Sequence, residues 1–192
     1  MKKLLYIDSC IRNELSRTKR IATPIIESLK ERYEVETVVI NELNLAPVQY
    51  DENRRRAGGT VSEEAIFWAN KIKNADRIVI AAPFWDMSIP AALKTFFELC
   101  SLFGVTFDSD DKTCFGLCKA ENLMFITTRG MKIETGAPLE QATPYIKALS
   151  WLWGIKGFEV VARNNFDYLP QEEIEKEIES AIEEGIEKAK TF

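Results

Sequence analysis

The stretch Asp76-Arg-Ile-Val-Ile-Ala81-Ala-Pro-Phe-Trp-Asp-Met-Ser-Ile-Pro90-Ala-Ala-Leu-Lys-Thr-Phe-Phe97 decides the fold. A short apolar, β-branched run ends at Ala81, and a loop punctuated by Pro83 and Pro90 follows. Leu93, Phe96, Phe97 and Cys100 then recur at helical spacing over 91–102. A continuous apolar strand feeding a helix is the unit of a parallel sheet covered on both faces. Working outward, the same unit recurs. Lys3–Asp8 reads as a strand, followed by a loop and a helix through Ile21, Ile25, Ile26, Leu29 and Tyr33. Val35–Ile40 is a second strand, and Asn122–Thr128 and Phe158–Ala162 are the fourth and fifth. A helix spans Leu139–Trp153, and Ile174, Ile178, Ile182 and Ile186 line a last one. Gly104–Lys119 reads as an excursion, a small hairpin. Five strands with right-handed crossovers fit a doubly wound α/β fold of order 2-1-3-4-5, with helices on both faces.

Between the second strand and the next helix, Asn41–Gly59 lacks periodicity and holds Pro47, Arg54-Arg55-Arg56 and Gly58-Gly59, so it reads as a long loop. Thr60 with Glu63 forms a capping-box pattern that opens a helix through Ala65, Ile66, Trp68, Ala69 and Ile72. The arginine run suits either a ribose phosphate or solvent.

Composition bounds the function. The 192 residues have the apolar share, 46%, and charged share, 29%, of an ordinary globular chain and are read as one domain, 1–192. No apolar run approaches the roughly 18–20 residues of a membrane helix. Met1-Lys-Lys with its short apolar continuation reads as strand, not signal, and four cysteines without a signal point to the cytoplasm. The net charge of −5 lies entirely in 171–192, so the rest is balanced, with no basic stripe for nucleic acid. There is no histidine, which excludes His-based triads, His-ligated zinc and an imidazole base. Cys114-x-x-x-Cys118 matches no zinc or iron–sulfur spacing, so no metal site is expected.

In a doubly wound sheet, ligands sit beyond the strand C-termini where the winding reverses, so three loops carry the chemistry. After the first strand, Ser9, Ser16 and Thr18 supply hydroxyls beside a helix N-terminus suited to phosphate, and Arg12 or Arg17 adds charge. Neither G-x-G-x-x-G nor a Walker loop is present. After the third strand, adjacent Phe84 and Trp85 offer flat apolar surface, and the backbone of Trp85, Asp86 and Met87 suits the polar edge of a heterocycle. After the fourth, Thr128 offers a hydroxyl and Gly130 allows close approach. Trp151 and Trp153 suit core or dimer contacts.

Ser9 with Ser16-Arg17-Thr18, the run Ala82-Pro83-Phe84-Trp85-Asp86-Met87-Ser88-Ile89-Pro90 with Leu93-Lys94 and Phe96-Phe97, Gly104-Val105-Thr106-Phe107, and Thr127-Thr128-Arg129-Gly130 carry a resemblance. Together they resemble the FMN-dependent NADH azoreductases among the flavodoxin-like NAD(P)H:quinone oxidoreductases, from the first strand to about Gly157. The resemblance implies a flavodoxin-like domain holding FMN, a homodimer with the flavin at its interface, and reduction by NADH or NADPH of a quinone or azo acceptor in two hydride-transfer steps. Carried over by position, Ser9, Cys10, Ser16, Arg17 and Thr18 fall at the phosphate, with Cys10 where a serine is common. Pro83, Phe84, Trp85, Asp86 and Met87 fall along the ring, and Thr128, Arg129, Gly130 and Met131 at one of its ends. Asp86 replaces an asparagine and Met131 a glycine. The cofactor supplies the chemistry and no side chain is named catalytic. A flavodoxin-like electron carrier or redox-sensing flavoprotein is the alternative, but such carriers usually have a shorter hydroxyl- and glycine-rich phosphate loop and strong acidity around the flavin. Here the loop contains arginines and the acidity sits in the last helix, so the enzyme is favoured. A protein that keeps the fold without the cofactor is the third reading.

Overall fold

The computed structural model describes residues 1–47 and 62–192. Arg54-Arg55-Arg56, Gly58-Gly59 and Thr60 lie outside them.

Five parallel strands form the main sheet: β1 (Lys2–Asp8), β2 (Tyr33–Val39), β3 (Arg77–Ala81), β6 (Asn122–Thr128) and β7 (Gly157–Arg163). Their order is β2-β1-β3-β6-β7. It differs in number from the expected 2-1-3-4-5 because two further strands, β4 (Phe107–Ser109) and β5 (Cys114–Gly116), intervene in the chain. They pair antiparallel as a sheet of their own, within the Gly104–Lys119 excursion.

The helices are α1 (Arg17–Leu29), α2 (Glu63–Asn74), α3 (Ala91–Cys100), α4 (Ala142–Leu152) and α5 (Gln171–Thr191). Strand alternation divides the core in two. Leu5, Ile7, Ile78, Ile80, Leu123 and Phe125 face α2, α3 and α4, where Trp153 is fully buried. Leu4, Tyr6, Val79, Ala81, Met124 and Ile126 face α1 and α5. There Gly185 lets α5 approach α1, since a Cβ would collide with Ile25. The pattern read from sequence thus gave both faces. Of the two tryptophans read as core or dimer contacts, Trp153 is in the core and Trp151 is 66% exposed.

Helix starts place the loops. Ser16 caps α1, its Oγ accepting from the Lys19 N–H at 3.3 Å. The cap of α2 is Ser62, whose Oγ accepts from the Ala65 N–H at 3.2 Å; Glu63 of the expected capping box is the first helical residue. Ladder bonds continue past the strand ends: Ser9 N–H donates to Ala81 O, Ala82 N–H to Ile126 O, Phe84 N–H to Thr128 O and Arg129 N–H to Arg163 O. The loops after β1, β3 and β6 therefore leave the sheet side by side.

Candidate active site

At the end of β1 the chain turns under α1. Ser9, Cys10, Ser16 and Thr18 are all buried. Asp8, buried too, accepts from the Cys10 N–H at 2.9 Å and lies 3.4 Å from Lys19 Nζ, which neutralises it. Thr18 Oγ1 and Thr128 Oγ1 are 2.7 Å apart, tying the first turn of α1 to the end of β6. Ser9 Oγ is buried without a partner, a polar atom that an external group could satisfy. Burial, reinforced by the Asp8 charge, pushes the Cys10 thiol well above its ordinary range, so it stays protonated.

The loop after β3 closes on itself. Trp85 N–H donates to Ser88 O at 2.9 Å and Ser88 N–H to Trp85 O at 2.8 Å. Asp86 (φ 47°) and Met87 (φ 66°) between them are both left-handed, the geometry of a type I′ turn. Two successive non-glycine residues in that region are strained, and such strain persists where surroundings enforce it, often at ligand clamps. Phe84 is buried beneath the turn, whereas Trp85, Asp86 and Met87 are exposed. A groove of about 740 Å³ runs beside it, lined by Ile11, Trp85, Asp86, Pro90, Gln141 and Tyr145 among others. Another cavity, about 400 Å³ and lined by Lys3, Glu36, Phe67 and Lys71, includes none of the residues expected at the site.

The loop after β6 completes the set. Gly130 packs so closely on the Asp167 carboxylate that a Cβ would collide with it. Met131 is 39% exposed on the same loop. Arg129 turns inward: its guanidinium is fully buried, donating to Ile133 O at 3.1 Å and Thr135 Oγ1 at 2.9 Å, over the Phe84 ring and 3.9 Å from Glu140. Burial lowers its pKa, against the raising effects of Glu140 and Glu134. Arg17 reaches across α1 to Asp167 Oδ1 at 3.3 Å and stacks on Phe166.

The structure thus brings Ser9, Cys10, Ser16, Arg17, Thr18, Pro83, Phe84, Trp85, Asp86, Met87, Thr128, Gly130 and Met131 to one end of the sheet. The Arg129 side chain is beneath that surface, committed to internal partners. Sequence reasoning passed over Asp8, Ile11, Glu140 and Asp167. For Glu140 a signal existed, an acidic residue just ahead of a helical run. Asp167 follows the fifth strand, whose loop was not searched. Among the described residues no cluster of His, Cys, Asp or Glu could hold a metal, and no helix is long and apolar enough to cross a membrane.

A doubly wound sheet with a hydroxyl-lined helix N-terminus and an aromatic turn at its switch point has the layout in which open α/β sheets of this class place their ligands. The family model described as flavodoxin-like fold matches residues 2–188, and the chain belongs to that family. It is 28% identical over 200 residues to an FMN-dependent NADH:quinone oxidoreductase of Clostridium perfringens, covering all of both proteins. Among solved structures, it resembles the azoreductase of Bacillus anthracis str. Sterne at a TM-score of 0.86, with 23% identity and full coverage of both chains. It also resembles an FMN-dependent NADH-azoreductase of Bacillus anthracis str. Ames Ancestor, solved with FMN, at 0.81 and 19% identity, over 100% of this chain and 99% of that one.

Proposed function

We propose that this chain is an FMN-dependent NAD(P)H oxidoreductase that reduces quinones, azo compounds or both. The observation that carries the reading is the meeting of three loops around a capped helix N-terminus. It offers anion-binding polarity at one end and flat, exposed aromatic surface at the other. The partnerless Ser9 Oγ and the left-handed turn at Asp86 and Met87 are the features a phosphate-bearing heterocycle would use. The names of the relatives and of the FMN-bound neighbour agree with it.

Ser9, Ser16, Arg17 and Thr18 would hold the phosphate, with Cys10 packed beside them, its N–H given to Asp8 and its buried thiol neutral. Pro83, Phe84, Trp85, Asp86 and Met87 would flank the ring, with Thr128, Gly130 and Met131 at its end. Arg129 acts from below as part of the loop's support. When bound, FMN supplies the hydride chemistry between nicotinamide and acceptor. The protein orients both reactants at the exposed Trp85–Met87 face and leaves protons to water, because no histidine exists to hold one. Nicotinamide and acceptor use that face in turn, so double-reciprocal plots are expected to be parallel, with no pH transition from an imidazole.

The winding is read as the 2-1-3-4-5 order with a hairpin inserted after the third sheet strand, in one domain spanning 1–192. A homodimer fits the exposed Trp85, Met87, Phe103 and Trp151. Four free cysteines fit the cytoplasm. The test is direct. Purified protein mixed with FMN is expected to retain it, to consume NADH when a water-soluble benzoquinone is added, and to sediment as a dimer. Failure to retain FMN at micromolar concentration overturns the cofactor assignment. Retention without NADH turnover favours the electron-carrier alternative.

A further inference from the structure

Glu140 is an unusual helix cap. Its carboxylate is fully buried, and Oε1 accepts from the N–H groups of Ala142 (3.0 Å) and Thr143 (2.8 Å), the first turn of α4. Oε2 accepts from Gly136 N–H at 3.4 Å and lies 3.9 Å from Arg129 Nη2. Arg129 gathers the rest of the loop through Ile133 O and Thr135 Oγ1 and lies against Phe84. Six charge-assisted contacts thus knot 129–143 into one body.

That body touches the turn after β3 through the residue beside Glu140. The Gln141 N–H donates to Met87 O at 2.9 Å, and the Gln141 carbonyl accepts from Ser88 Oγ at 3.5 Å. Met87 is one of the two left-handed residues, so its carbonyl direction is set from outside the turn. Breaking the Glu140 cap frees Gln141 and, with it, the external hold on Met87.

We infer that the buried Arg129–Glu140 pair is a positioning pair for the acceptor side of the site, fixing the Trp85–Ser88 turn through Gln141. This rests on the reading of the chain as a flavin oxidoreductase. Neither residue touches reactants. A buried pair can be stability-neutral against an apolar replacement, yet losing one partner strands the other charge. What this pair fixes is the direction of the exposed Trp85–Ser88 turn. Misplacement by about 1 Å can cost up to about 100-fold in a reaction that depends on alignment.

The test uses Glu140→Gln, Arg129→Lys and Glu140→Asp, the last keeping both the charge and a capping oxygen. Amide hydrogen exchange on the protein without FMN is the first readout. In Glu140→Gln and Arg129→Lys, the Ser88 and Gln141 amides are expected to exchange at least about tenfold faster, while β1 amides keep their protection. Glu140→Asp is expected to recover most of the parental protection. With FMN loaded, the two damaging variants are expected to retain it within about threefold, because the α1 end is untouched, while KM for a benzoquinone rises about tenfold or more. Unchanged exchange at Ser88 and Gln141 overturns the inference. So does protection lost equally along β1, the mark of general destabilisation, or an unchanged KM despite a loosened turn. Should the parent fail to retain FMN, the proposed function falls, while the exchange experiment still decides whether the pair holds the turn.

Discussion

At the β1 end of the site Ser9, Cys10, Ser16 and Thr18 are buried and mostly bonded to one another's elements. At the opposite end, Trp85, Asp86 and Met87 after β3 and Met131 after β6 stand in solvent. The first region is largely built before any ligand arrives, with a capped helix, a hydroxyl pair joining α1 to β6 and Asp8 paired with Lys19, and Ser9 Oγ is left without a partner there. The second is a strained turn held from outside by Gln141. The difference is one of division of labour. A preformed anchor binds with little ordering cost and sets affinity, while an exposed face can admit two flat reactants in succession and sets rate and choice. Changes at the anchor are therefore expected to alter retention, and changes at the face to alter turnover.

The largest break in that comparison comes from Ser16→Ala combined with Thr18→Ala. Each buried hydrogen bond lost is worth about 1–3 kcal/mol, so losing two is expected to weaken FMN retention by about 30-fold or more. Removing the Ser16 cap also costs about 1 kcal/mol of stability, visible as a lower urea midpoint. Fluorescence titration with FMN reads the first effect. Parental retention in the double variant moves the phosphate away from α1.

Thiol chemistry sharpens the contrast without any cofactor. Burial pushes the Cys118 thiol up to about 12 and, with the Asp8 charge, raises that of Cys10 too, and the thiolate is the reactive form. At pH 8 Cys114, which is exposed, is expected to react with iodoacetamide on its own, with Cys10 protected until the protein unfolds. Raising the pH to 9 is expected to leave Cys10 unlabelled, since its thiolate fraction stays small below its raised pKa. Peptide mapping that finds Cys10 labelled as fast as Cys114 would mean that the β1 end is open.

At the face, Asp86 is the residue to change. Asp86→Asn keeps a side chain that tolerates φ near 47° while removing a charge from beside the expected ring. Stability is expected to stay within about 0.5 kcal/mol, whereas Asp86→Ala costs about 1–2 kcal/mol in that conformation. Loss of the negative charge makes the bound flavin easier to reduce, so Asn is expected to raise its potential and speed reduction by NADH, leaving retention intact. A potential and rate equal to the parent's would place Asp86 away from the ring.

How much of this was legible depended on the kind of signal. Strand runs such as Asp76–Ala81 and the helical spacing of Leu93, Phe96 and Phe97 report burial directly, and Ser16 announced its cap because a hydroxyl just ahead of a periodic run has one good use. Arg129 was misleading for a physical reason. It was placed at the ring by position in the resemblance, but its side-chain partners, Ile133 O, Thr135 and Glu140, lie at spacings that follow no helix or strand period. Which way a loop side chain turns is settled by tertiary partners. Asp167 was invisible for the same cause: its neighbour Arg17 is on another element entirely.

That pair makes the finest test of the anchor. Arg17 and Asp167 meet at 3.3 Å with side chains 32% and 62% exposed, so the pair itself contributes only about 0–1 kcal/mol to stability. Its effect on an incoming anion is more telling. In the absence of ligand, Asp167 partly neutralises the one arginine at the first position of α1, and a phosphate must compete with it. Asp167→Asn keeps the shape against Gly130 and removes the competitor, so FMN affinity is expected to rise about two- to fivefold at low salt, within what an exposed charge is worth. Screening shrinks the Debye length to about 3 Å near 1 M salt, and there the gain is expected to vanish. A fall in affinity at every salt concentration would reverse the assignment: Asp167 would then be the residue that aims Arg17, and the anchor would extend from α1 onto the loop after β7.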